Sequence, residues 1–475
     1  MLLKIAYPQF RLTGGSSAGI VRTRNGLAGV AVLRSLALVA AAAACCHAQD
    51  TRQVTEPVVP RSCTVLAARL ASIRQRTLAD ADEARPDTSR IQSAIDHCPQ
   101  GQAVELRADR GRDAFLAGPL QLRDGVTLRV DAGAILFGSR NPRDYDLRPG
   151  SCGIIDQDGH GCKALISGDR VGRAAVMGEG VIDGRGWARM TGSGVTWWEL
   201  AERARAGGFQ NCPRLIVLSH STDFTLYRIT LKNAPNFHVY FADGDGLTAW
   251  AVVIDTPATA RNTDGIDPAG SKNVTITHCY IHNGDDQVAI KAASHSSHIT
   301  VAHNHFYTGH GMSIGSETSG GVDAVRVTDL SIDGADNGIR IKSNSSRGGL
   351  VTDVVYEDVC IRDARNPIVM DTDYAHFGRR GTRIPLFTGI VLRDVRMSGG
   401  RITLEGYDDT HRLGMTLDNV HVDEAPPRVV AAYADLVLGP GPVNFRPAGL
   451  DVTLSVIPGR GAPNACEGKF VPMPR

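Results

Sequence analysis

Val274-Thr275-Ile276-Thr277-His278-Cys279-Tyr280-Ile281 is the stretch on which the fold turns. Its apolar residues fall at the first position and at two, five and seven positions on. The same template opens at Phe224, Leu247, Ile299, Val325, Val354, Ile390 and Met415, with starts 23 to 36 residues apart and mostly near 25. Asn304 is the one polar residue in these positions. A helix would need a period of 3.6, whereas alternation, β-branched residues and Gly/Asn/Asp punctuation describe short strands. Self-similarity at such a period marks a solenoid, in which each turn buries its apolar face only against its neighbours. The fold expected is all-β, a single-domain right-handed parallel β-helix; one continuous period disfavours a sandwich or a propeller.

A second strand follows in each turn. Ile266, Ile290, Ile314 and Ile341 recur at intervals of 24, 24 and 27 residues and are taken as equivalent positions. Beside them lie Asn262-Thr263-Asp264-Gly265, Gly284-Asp285-Asp286, Gly309-His310-Gly311 and Arg340-Ile341-Lys342. Coils stack about 4.8 Å apart, so Asp264, Asp285, Asp286, His310, Arg340 and Lys342 are expected to converge on one side of four consecutive coils. Crowded carboxylates repel, which should hold one of them protonated near working pH. A proton donor beside ionised carboxylates is the equipment of glycoside hydrolysis. The Arg and Lys add positive charge suited to an acidic sugar.

Taken singly, each motif has a plainer reading. Asp264-Gly265 alone is a turn signal, Asp285-Asp286 alone a solvated corner or a calcium ligand pair, and His310 alone a loop residue. Gly178-x-Gly180 with Asp183-Gly184 is a tight corner, since no helix follows to make a nucleotide loop. The joint pattern weighs against these readings.

With Asp373-Tyr374, the four motifs resemble those of the polygalacturonases of glycoside hydrolase family 28, in particular the secreted bacterial endo-acting members of plant pathogens. The likeness runs from about Ser62 to Val422. It implies inverting hydrolysis of α-1,4-linked galacturonan, with Asp285 as general acid, Asp264 and Asp286 acting on the attacking water, and His310 supporting the acid. It further implies that Asn262, Arg340, Lys342 and Tyr374 bind substrate, with no metal and no cofactor. Gln287 departs from the Cys or Asn often found after the paired aspartates. A calcium-dependent lyase, a rhamnogalacturonan hydrolase and a non-catalytic polysaccharide-binding β-helix are the rivals.

Outward from this core, Asp87-Thr88-Ser89 followed by Ile91, Ala94, Ile95 and Cys98 predicts a short amphipathic helix that caps the open end of the solenoid. Residues 49–61 read as a flexible polar segment, and residues 62–475 as the β-helix domain. Residues 1–48 read as a signal peptide: Arg34, an apolar run from Leu36 to Ala44, and Ala48 before the cleavage point. A start near Val21, or a lipoprotein through Cys45, are the alternatives. The run is too short to span a bilayer, so a secreted, membrane-free protein is expected.

Export would permit disulfides, and Cys63–Cys98 and Cys152–Cys162 are the pairs close in sequence; Cys279, at an inward position, reads as a buried thiol. No zinc-type spacing occurs. The five basic residues of 1–48, removed from 51 in the chain, leave 46 against 50 acidic, which argues against nucleic acid as partner. Nothing suggests an oligomer, so a monomer is expected. A slightly acidic chain does not steer a polyanion from afar, so local Arg and Lys must hold it. Initial rates on polygalacturonate should therefore fall as salt rises, and salt-insensitive turnover would count against this reading.

Overall fold

The structure, a computed structural model, describes residues 49–375, 381–424 and 426–474. The signal-peptide reading of 1–48 lies outside them. The chain winds as a right-handed parallel β-helix whose strands form one continuous sheet of 32 strands, paired in parallel from coil to coil. The eight template starts lie opposite one another without a slip, from Phe224 against Leu247 through to Ile390 against Met415.

The template skips from position two to position five because of one backbone feature. In every coil the residue four after the start has a left-handed conformation: Arg228, Ala251, His278, His303, Asp329, Asp358, Asp394 and Asn419, with φ between +48° and +57°. A straight strand alternates faces, so the fourth residue would point inward. The left-handed residue bends the chain, and the fifth residue becomes the inward one. Ile229, Val252, Cys279, Asn304, Leu330, Val359, Val395 and Val420 are all fully buried. Seven of the eight corner residues are polar, and six of them are Asp, Asn or His, which tolerate this region better than branched side chains do.

Coils also precede and follow the visible repeat. Strands Gln102–Arg107, Val126–Val130 and Ala175–Met177 stack ahead of Thr222–Tyr227, and Arg428–Leu438 and Gly449–Val456 follow Leu413–Val422. A 44-residue excursion between Val130 and Ala175 hides the early ones from a search for a fixed period. The helix Thr88–His97 buries Ile91 and Ile95 in the same core as Val104, Leu106 and Phe115, so the expected cap is in place.

Cys63–Cys98 and Cys152–Cys162 are bonded as expected. A third bridge, Cys360–Cys466, closes a separation of 106 residues that sequence proximity could not reveal. Cys279 and Cys212 are buried free thiols, and burial pushes the Cys279 thiol up to about 12. Residues 49–61 are anchored on the outer wall and not loose: Asp50 is buried and accepts from Thr275 Oγ1 at 2.7 Å, and Tyr227 donates to Glu56 at 2.6 Å.

Asn304 explains its own exception. Inside the core its Nδ2 donates to Ile276 O (2.9 Å) and its Oδ1 accepts from Cys279 N (2.8 Å), tying two coils together across the bend. Asn304→Leu should strand both backbone groups and destabilise the protein by about 2 kcal/mol or more. A lower urea midpoint is the expected reading; an unchanged midpoint would show that the amide is dispensable.

Candidate active site

The carboxylates are positioned by the sheet ladder. Leu215, His238 and Gly265 each donate their N–H to the next coil, to Phe237 O, Asp264 O and Asp286 O, so Arg214, Phe237, Asp264 and Asp286 share one level in four coils. The equivalence taken from sequence needs one correction. Ile266 lies opposite Val288, whereas Ile290, Ile314 and Ile341 face one another. Val288 and Ile290 are both inward and apolar, so alternation cannot choose between them. The shift of two residues sets Asp264 directly beside Asp286.

Each carboxylate has its own surroundings. Asp286, 1% exposed, accepts from Ser313 Oγ (2.8 Å) and Lys342 Nζ (2.9 Å) and pairs with the Arg340 guanidinium. Burial alone would raise its pKa, but Arg340, Lys342 and Lys291 hold it far below the usual carboxylate range. Asp285, the most accessible of the three, lies 3.0 Å from His310 Nδ1, and its Oδ1 also accepts from Asp286 N–H at 2.9 Å. Burial pushes it up, and the His310 hydrogen bond with the nearby cations brings it below its ordinary value. For His310, burial favours the neutral ring, and the Asp285 contact outweighs it and raises the pKa.

Asp264 is the carboxyl held up, to about 7, by burial first and then by the charge of Asp285. Its Oδ2 meets Lys291 Nζ at 3.2 Å, while no described residue donates to Oδ1. Of these three carboxyls the raised one is thus Asp264, not the Asp285 to which the resemblance assigns the acid role; burial also holds the neighbouring Asp267 well above its ordinary value.

Two further residues build this site, Lys291, which no motif marks, and Gln287, which the sequence shows only as a departure. Lys291 Nζ bridges Asp264 and, at 3.5 Å, the fully buried Asp267, and Lys291 lines the cleft 5.0 Å from the Phe237 ring centre. A signal was present, since Lys291 follows Ile290 as Lys342 follows Ile341. Gln287, marked only as a departure, is buried and binds the His310 loop: its Nε2 donates to Thr308 O (2.7 Å), and its Oε1 accepts from Gly311 N (2.5 Å).

Of the expected substrate-binding residues, Arg340 and Lys342 are each 6% exposed and engaged by Asp286, so in the free enzyme they are counter-charges before they are a free patch. Lys342 Nζ stands 5.2 Å from the Tyr374 ring centre, which brings Tyr374 to the same edge. Asn262 has φ +55° and accepts from Gln210 Nε2 at 3.0 Å. Asp285, Asp286 and His310 place donor atoms within 4.8 Å of one another, as a metal site would. Both Asp286 oxygens are already met by cations, which is the wrong chemistry for a metal ligand.

Clustered carboxylates with fixed counter-cations on the flank of a parallel β-helix define a carbohydrate-cleaving hydrolase. The family model described as glycosyl hydrolases family 28 matches residues 113–432. An endo-polygalacturonase of Pectobacterium carotovorum subsp. carotovorum is 44% identical over 391 residues, covering 81% of this chain and 93% of that protein. A polygalacturonase of Ralstonia nicotianae is 39% identical, covering 88% and 92%. Among solved structures, the polygalacturonase from Erwinia carotovora ssp. carotovora superposes with a TM-score of 0.76 at 41% identity, over 82% of this chain and all of that one. The chain belongs to glycosyl hydrolase family 28 and is a glycoside hydrolase.

Lys291 lowers the pKa of Asp264, so its removal should raise it further. Lys291→Met is expected to move the ascending limb of the kcat/KM profile to higher pH and to lower kcat/KM at pH 6 by about tenfold. A limb that stays in place would show that Asp264 ionisation does not govern it.

Proposed function

We propose that the protein is a secreted endo-polygalacturonase that hydrolyses α-1,4 bonds between galacturonate units of pectin with inversion. The observation that carries this is the stack of Asp264, Asp285 and Asp286 with His310, Arg340 and Lys342 in a chain so similar to a named endo-polygalacturonase over nearly its whole length. Asp285, the most exposed carboxyl, gives a proton to the glycosidic oxygen as the C–O bond breaks. Asp285 receives that proton from the protonated ring of His310, whose Nδ1 lies 3.0 Å from Asp285 Oδ1 and whose pKa the Asp285 contact raises. Asp264 and Asp286 orient a water on the opposite face, whose oxygen bonds to the anomeric carbon while its proton passes to a carboxylate. Arg340 and Lys342 turn from Asp286 toward the uronate carboxylate, and Tyr374 packs on the sugar beside Lys342. Asn262 closes the substrate edge on the Asp264 side.

An endo mode is supported by the groove that continues past Arg214 toward Gln121 and Arg123. Export is supported by the three disulfides and by the leader-like 1–48. No helix among the described residues is long and apolar enough to cross a membrane.

The test is digestion of de-esterified polygalacturonate without calcium. Early collapse of viscosity with new reducing ends and no ultraviolet-absorbing product is expected; slow viscosity loss would mean an exo enzyme, and unsaturated products an elimination. Asp285→Asn should cut kcat by about 10²- to 10⁴-fold with little change in KM. Full activity in that variant would remove Asp285 from the acid role.

A further inference from the structure

Arg214 is a cation of this cleft that the catalytic arrangement leaves unused. It lies two coils, about 10 Å, on the N-terminal side of Asp264, at the same level of the ladder. Its guanidinium carbon sits 4.9 Å from the ring centre of Phe237 and 4.3 Å from that of Tyr240. Among the described residues it has no hydrogen-bond or ion-pair partner for its side-chain nitrogens. An arginine ordinarily forms a salt bridge when acids are near, and two acids line the same cavity: Glu317 is paired with Arg347 at 2.8 Å, and Asp243 accepts from Ser294 Oγ. Stacking on two rings removes the freedom of a long side chain without using its donors.

The surroundings match an anionic sugar. A cavity of about 260 Å³ opens over Arg214, Phe237, Tyr240, Lys291, His160 and Glu317, beside the carboxylate cluster. Lys291 lies 5.0 Å from the Phe237 ring centre and Arg214 4.9 Å, so one ring carries a cation of the catalytic cluster and the free one. Phe237 and Tyr240, with ring centres 6.2 Å apart, supply an apolar wall.

Resting on the polygalacturonase reading, we propose that Arg214 is a specificity-determining residue which binds the carboxylate of a galacturonate unit lying beyond the one being cleaved, on the N-terminal side of the cleft. Its fork offers two parallel N–H donors to a planar carboxylate, and its stacking has already ordered them. A methyl ester at that unit removes the charge and one acceptor. Arg214 therefore makes the enzyme discriminate between free and esterified uronate at a site removed from the reacting bond.

Arg214→Gln and Arg214→Lys test this against the wild type on de-esterified polygalacturonate and on highly methyl-esterified pectin. The Gln variant should raise KM on the de-esterified polymer about tenfold, equal to about 1.4 kcal/mol, while kcat stays within about threefold. On esterified pectin the two enzymes should differ by less than about twofold, and Lys should restore part of the lost affinity. KM values within about twofold on the de-esterified polymer, or equal defects on both polymers, would overturn the proposal. If the Gln variant does not fold, as judged by circular dichroism, the Lys variant on the two polymers decides. A wild type inert on polygalacturonate would instead remove the polygalacturonase reading itself.

Discussion

A left-handed residue at the same corner of each repeat coil sets the geometry on which everything else rests. The conformation costs an ordinary L-residue roughly 1 kcal/mol or more, yet it recurs at the same place in eight coils. The cost is met by what the bend allows: without it, the inward positions of the next strand would point to solvent. Every coil then has the same corner, so coils stack in register, and side chains on one wall line up in columns. The acidic column is a by-product of that register. Asp264 and Asp286 are neighbours in space although 22 residues apart in sequence.

Columns of like charge are unstable unless something opposes them. Here Asp264, Asp267, Asp285 and Asp286 are interleaved with Lys291, Arg340, Lys342 and His310. The cations are distributed unequally: Asp286 receives two, Asp264 shares one with Asp267, and Asp285 has the titratable one. Four chemically identical groups thereby acquire different proton affinities. Burial makes these differences large, since charges out of water are weakly screened.

The sequence made the periodic part legible. The template positions became core in every coil, and the four motifs arrived on one wall. What it could not resolve was anything that depends on registration between equally apolar choices, as with Ile266 against Val288 and Ile290. Lys291 was passed over because a single lysine after an apolar strand is ordinary until its column is known. The bridge from Cys360 to Cys466 and the anchoring of residues 49–61 depend on contacts across the outer wall, which no local pattern encodes. Gln287 looked like a deviation because its partners, the backbone groups around His310, are set by the fold alone.

The tail that carries Cys466 changes how the molecule can come apart. A solenoid ordinarily frays from its last coil inward, each turn peeling away from one neighbour. Here Cys466 is joined to Cys360, Lys469 lies within 2.7 Å of Asp358 and pairs with Asp329, and Tyr307 donates to Val471 O at 2.9 Å. The strands from Ile390 to Val456 therefore lie inside a covalent loop whose ends are fastened next to the coils that carry the active site. Terminal turns cannot detach one at a time and drift off. Loss of the end becomes coupled to loss of the middle, and a structure built of repeats gains the all-or-none character of a single closed body.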